Sequence, residues 1–151
     1  MQYNISCYFY KSFLPLCQLK NKVIKYLDKL SLEVETTGSV NTIYKNGSDI
    51  IGHNTDVAGF ELGLRHSKIN VLHKSILILG AGGVVPSIIY SLLSMGCKKI
   101  FLSNRTVEKA EKIKEKFDDI DILKWGEIPD FDIIINATSV GLKGDSLDLD
   151  F

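Results

Sequence analysis

Cysteine, proline and tryptophan are scarce in this sequence, at three, three and one of 151 residues. Cys7, Cys17 and Cys97 are odd in number and none stands in a C-x-x-C spacing, which excludes the usual zinc and dithiol patterns. A reducing, cytoplasmic setting is the default expectation, with no metal site. Charge of one sign is also lacking: 18 Lys plus Arg balance 18 Asp plus Glu, and the pI is near 6.8. That balance removes the broad basic field that non-specific nucleic-acid or acidic-membrane binding uses, while allowing a local cationic site. No run of ~18 apolar residues is present, so no membrane-spanning helix is expected. The opening MQYNISCYFYKSFLPL has no basic start and is broken by Lys11 and Pro15, so it is not read as a signal peptide. No repeat and no Gly/Ser or Pro-rich tract occurs. These absences leave a small molecule as the expected partner.

What is present is a globular profile, 45% hydrophobic and 24% charged, at a length that suits one ordinary domain or two small ones. Residues 1–19 are aromatic and irregular. In NKVIKYLDKL, residues 21–30, Val23, Ile24, Leu27 and Leu30 recur at helical spacing between charges and predict an amphipathic helix. Two β-branched runs, 40–44 and 49–52, flank the turn signal Asn46-Gly47 and predict a hairpin. Thr55 or Asp56 is then placed to cap a helix through VAGFELGLRHS. Beyond a boundary at 67–74 the texture changes to buried strands at 75–79, 99–103, 121–124 and 131–137, with helices at 84–95 and 106–117. That order predicts a parallel, doubly wound α/β sheet.

LILGAGGVVPSII is the most informative stretch. Gly80, Ala81, Gly82, Gly83 and Val84 follow a predicted strand and open a predicted helix, where glycines let a pyrophosphate approach the N–H groups at the positive helix end. Val85 stands where a third glycine would complete G-x-G-x-x-G; the plain alternative is a tight turn without a ligand. The second strand runs into Asn104, Arg105 and Thr106. Arginine cannot accept a bond from a ribose 2′-OH, but its guanidinium pairs bidentately with a 2′-phosphate, and Lys109 adds charge one turn on. NADP is therefore favoured over NAD, although Asn104 or Thr106 also suits a helix cap. The third motif, IINATSVGL, sets Asn136, Thr138 and Ser139 at the carboxyl end of a buried strand, where the ligand crevice of an open α/β sheet lies; they border the expected nicotinamide side or form a polar turn.

Upstream, Lys20, Asn41 and Asp56 are polar residues that composition does not single out; a lysine there is ordinarily solvated and Asp56 is ordinarily a cap. The succession GSVNTIY, GHNTDVAGF, LGAGG, SNRT and INATSVGL, however, resembles shikimate dehydrogenases from about Lys20 through Leu142. That resemblance implies NADPH-dependent, reversible reduction of 3-dehydroshikimate to shikimate, in the pathway to chorismate and the aromatic amino acids. It implies Lys20 as the catalytic lysine, Asp56 as the carboxylate paired with it, and Asn41 as a ligand of the substrate hydroxyls. It also implies the Gly80 to Val84 loop for the diphosphate and Asn104, Arg105, Thr106 and Lys109 for the 2′-phosphate.

The resemblance further implies an α/β chain with a partial substrate domain over 1–68, in which 1–19 is atypical, and a partial Rossmann-type NADP-binding domain over 69–151. Two departures go with it. LPLCQLK stands where the family has a segment like NVTxPxK, and the family's two-serine motif and final glutamine have no counterpart, so the expectation is an incomplete chain. A non-catalytic NADP-binding fragment and a related quinate dehydrogenase are the alternatives. The expected partner is shikimate or 3-dehydroshikimate, with a homodimer left open.

Overall fold

A computed structural model describes residues 23–140 of the chain. Two sheets are built in succession. The first is three-stranded, in the order β1-β3-β2, with β1 at Lys29–Leu30, β2 at Thr42–Asn46 and β3 at Asp49–His53. β2 and β3 form the expected antiparallel hairpin, but its loop is Gly47-Ser48, with Asn46 paired to Asp49 as the last strand residue. Gly47, at φ +64°, takes the left-handed turn position that such two-residue loops demand.

The helix expected over 21–30 is not formed in the described part of that stretch. A 3-10 turn at Ile24–Tyr26 leads into β1, which pairs in parallel with Ile51 and Gly52 of β3. Asp28 explains the change, because its backbone N–H donates to Ile50 O while its carboxylate accepts from Ile50 N at 2.7 Å. Two cross-strand bonds there outweigh a marginal isolated helix. Gly52 permits the approach: a Cβ on it would lie 2.5 Å from Leu27 Cδ1.

Helix α1, Leu32–Thr37, follows with Ser31 as N-cap residue, and α2, Thr55–His66, follows the hairpin. Asn54, not Thr55 or Asp56, caps α2, its side chain accepting from Asp56 N at 3.0 Å. Thr55 is the first helical residue instead, and its N–H and hydroxyl both donate to Asn41 Oδ1, at 2.9 and 3.2 Å.

The second sheet is parallel, with β4 at Ser75–Leu79, β5 at Lys99–Ser103, β6 at Ile120–Leu123 and β7 at Ile133–Asn136, in the order β6-β5-β4-β7. Helices α3, Val85–Ser94, and α4, Val107–Lys114, connect the strands as expected, with Pro86 in the first turn of α3 where its missing N–H costs nothing. Ile76, Leu77, Ile78 and Leu79 of β4 are all buried, which is why that strand reads as a continuous apolar run. Ile76 and Ile78 join Ile89, Leu92, Ile100, Leu102, Ala110 and Ile120 in the core. Each buried leucine or isoleucine among them contributes roughly 1.5–3 kcal/mol. α2 packs on α3, and Leu64 of α2 enters the same core. Among the described residues, no helix is long and apolar enough to cross a membrane.

Candidate active site

The carboxyl ends of β4, β5 and β7 bring together three segments that are far apart in sequence. Gly80 continues from β4 at φ +105°, and a Cβ there would stand 2.9 Å from both Ala137 C and Ala137 O and 3.0 Å from Thr138 Cγ2. The glycine loop thus lies directly against the turn after β7. Ala81 N donates to Asn104 Oδ1 at 3.0 Å, and Gly80 N to Ser103 O at 2.8 Å, fastening the same loop to the end of β5.

Gly82, Gly83 and Val84 are exposed, and among the described residues no side chain caps α3 and no acidic residue stands in its first turn. A Cβ on Gly83 would meet nothing within 4 Å. The open space and the positive end of α3 fit a diphosphate.

Asn104 also donates through Nδ2 to Thr106 O at 2.7 Å, which shapes the loop that presents Arg105. Thr106 is the N-cap residue of α4, but its side chain makes no capping bond, so the capping alternative holds by position alone. Arg105 and Lys109 are both exposed, as cations that meet a phosphate must be.

After β7, Asn136 organises the turn: its Oδ1 accepts from Thr138 N at 3.0 Å and from Thr138 Oγ1 at 2.7 Å, and its Nδ2 donates to Val140 O at 3.1 Å. Thr138 Oγ1 in turn accepts from Val140 N at 3.1 Å. Asn136 and Thr138 therefore build the polar turn, while Ser139 is exposed beside it.

On the first sheet, Asn41 precedes β2 and its Oδ1 accepts from Thr55 N at 2.9 Å, Thr55 Oγ1 at 3.2 Å and Thr42 Oγ1 at 3.1 Å. These three donors fix which end of the amide is oxygen. Asp56 is half-buried in the first turn of α2. Lys20 lies outside the described residues. Sequence reasoning passed over Asn54, although an asparagine ahead of Thr-Asp at a helix start is itself a capping signal.

The displaced carboxylates lie elsewhere and serve the sheets. At the opposite end of β4, the hydrogen bond from Lys74 and then the Ser75 N–H hold Asp132 below the ordinary aspartate range; Lys74 Nζ and Ser75 N each approach it to 2.8 Å. Lys99 does the same for Asp121 from β5 to β6. Among the described residues no cluster of His, Cys, Asp and Glu suits a metal ion.

Residues 63–142 match the model of the shikimate / quinate 5-dehydrogenase family. The chain is 56% identical over 124 residues to the shikimate dehydrogenase (NADP(+)) of Pelagibacter ubique, a match that covers 82% of this chain and 47% of that protein. Among solved structures, it resembles shikimate dehydrogenase from Aquifex aeolicus with a TM-score of 0.77 and 39% identity, covering 86% of this chain and 49% of the other. It also resembles the Thermus thermophilus shikimate 5-dehydrogenase solved with NADP(H) and shikimate, with a TM-score of 0.73, 30% identity and coverage of 83% and 47%. The chain thus spans about half the length of the curated relatives it matches.

Proposed function

The chain belongs to the shikimate / quinate 5-dehydrogenase family, and from that membership we propose that it acts in the NADP-dependent interconversion of 3-dehydroshikimate and shikimate. The observation that carries the reading is the Ala81 N to Asn104 Oδ1 bond at 3.0 Å, which joins the glycine loop to the loop bearing Arg105. A diphosphate at Gly82, Gly83 and the start of α3 then has its adenosine 2′-phosphate within the field of Arg105 and Lys109. Thr138 and Ser139 border the nicotinamide side. NADPH, when bound, supplies the hydride.

The remaining chemistry falls to the side chains. Asn41, with its oxygen committed inward, donates both N–H bonds to substrate hydroxyl oxygens. Lys20 is the group that gives a proton to the developing alkoxide in the reducing direction, since a free lysine, with a pKa near ~10.4, is protonated at neutral pH. The family resemblance pairs Asp56 with this lysine, and a carboxylate in that role favours the charged ammonium and orients it. Residues 1–68 then serve the substrate and 69–151 the cofactor. A cytoplasmic location and a homodimer belong to the same reading, and sedimentation in solution tests the dimer.

The test is shikimate-driven reduction of NADP+, followed by absorbance, with quinate as the rival substrate. Turnover on shikimate supports the reading, and preference for quinate assigns the family's other substrate. NADPH binding without turnover on either leaves a cofactor-binding fragment. Lys20→Ala is expected to lower turnover roughly 10²- to 10⁴-fold with little change in cofactor affinity.

A further inference from the structure

One buried amide bridges the two halves of the proposed site. Asn54 is 1% exposed and its side chain makes three hydrogen bonds. Its Oδ1 accepts from Asp56 N at 3.0 Å, which fixes the orientation of the amide; its Nδ2 then donates to Thr37 Oγ1 at 3.3 Å and to Ser87 Oγ at 2.9 Å. Ser87 is fully buried in the first turn of α3, directly after the glycine loop. Asp56 and Thr55 form the first turn of α2, and Thr55 holds Asn41. One side chain therefore fixes the start of the helix bearing Asp56, and through Thr55 the amide of Asn41, against the start of the helix that follows the glycine loop. A second bond, Ser91 Oγ to Val57 O at 3.2 Å, continues the seam one turn along both helices.

We propose that Asn54, acting through Ser87, is a positioning residue that sets the spacing between Asn41 and Asp56 on one side and the nicotinamide end of the cofactor site on the other. The inference rests on the proposed function. Hydride transfer is sensitive to that spacing, because a displacement of about 1 Å at a reacting pair costs up to roughly 10²-fold in rate.

Ser87→Ala removes the acceptor on α3 and leaves the Asn54 cap on α2 intact. Asn54→Ser keeps a capping oxygen and withdraws the amide's two N–H donors, so it is the second variant. The readouts are kcat, the primary isotope effect with shikimate deuterated at the oxidised carbon, NADPH affinity, and hydrogen exchange of the Thr55 and Asp56 amides with and without NADPH. The expected result is a fall in kcat of about ten- to a hundred-fold, a larger isotope effect, and near-parental NADPH affinity. NADPH is also expected to slow exchange at Thr55 and Asp56 in the parent protein, and to stop doing so in both variants. A merely structural contact would lower stability and leave the isotope effect where it was, and that result overturns the proposal. If the parent binds NADPH without turning over shikimate, the proposed function fails and exchange alone decides. Protection by NADPH that Ser87→Ala abolishes then upholds the tether, and protection absent from the parent or retained in the variant overturns it.

Discussion

Replacing Gly80 and Gly83 by alanine, one at a time, separates the glycine that the fold needs from the glycine that a ligand needs. Gly80 sits at φ +105°, where an L side chain is strained by roughly 1–3 kcal/mol. Its new Cβ would also press within 2.9 Å of the Ala137 backbone, an overpacking that costs about 1–3 kcal/mol because the contact is main chain and cannot swing aside. The expected destabilisation is therefore about 2–6 kcal/mol, a large share of the ~5–15 kcal/mol that holds a domain folded. With a urea slope of about 1–3 kcal/mol per molar, the unfolding midpoint should fall by roughly 0.7 M or more. At Gly83 the same substitution meets nothing within 4 Å, so stability should stay within ~0.5 kcal/mol of the parent. The added methyl nevertheless stands in the space proposed for the diphosphate, and NADPH affinity should drop about tenfold or more, ~1.4 kcal/mol. Urea unfolding and NADPH titration of the two variants give four numbers. A Gly80→Ala protein as stable as the parent, or a Gly83→Ala protein that binds NADPH as the parent does, would refute the reasoning.

Arg105→Ala should weaken NADPH roughly ten- to a hundred-fold while sparing NADH, since only the former has a 2′-phosphate to lose; equal losses by titration calorimetry would contradict the assignment. Asp132, held below the ordinary aspartate range by Lys74 and the Ser75 N–H, contributes stability that is present above the unfolded pKa near ~3.9 and is lost as pH falls through the lower folded value. Asp132→Asn should therefore reduce stability at neutral pH and flatten its acid dependence, and an unchanged acid limb in thermal unfolding would show that other carboxylates govern it. Ile78→Ala empties part of a fully buried site in the middle of β4 and should cost about 2–5 kcal/mol by urea unfolding, with a smaller loss indicating that the neighbouring helices close the gap.

Within the second sheet, β4 and β5 were legible because SILIL and most of KIFLS are buried at the centre of the sheet, whereas β7, expected as a buried strand, is an edge strand whose residues alternate half-buried and exposed, with Ile134 exposed. The first sheet was less so. Val23, Ile24, Leu27 and Leu30 are half-buried while Lys25, Tyr26, Asp28 and Lys29 between them are exposed, but Lys29 and Leu30 are drawn into a parallel pair with β3, a contact across 22 residues that local periodicity does not contain. α1, six residues long, is too short to show a helical period. For the site, the glycine loop and Asn104 announced themselves by type and order, whereas the partnership of Ala81 with Asn104 needed the fold. Asn54 escaped notice because its neighbours Thr55 and Asp56 offer the same capping chemistry; only burial and the bond to Ser87 distinguish it.

Amide chemical-shift mapping during an NADPH titration tests the central claim most directly. Shifts concentrated at Gly80, Ala81, Gly82, Gly83 and Val84, at Asn104, Arg105, Thr106 and Lys109, and at Thr138 and Ser139 are predicted. Saturating NADPH that moves none of these groups, or moves a different face of the sheet, would contradict it.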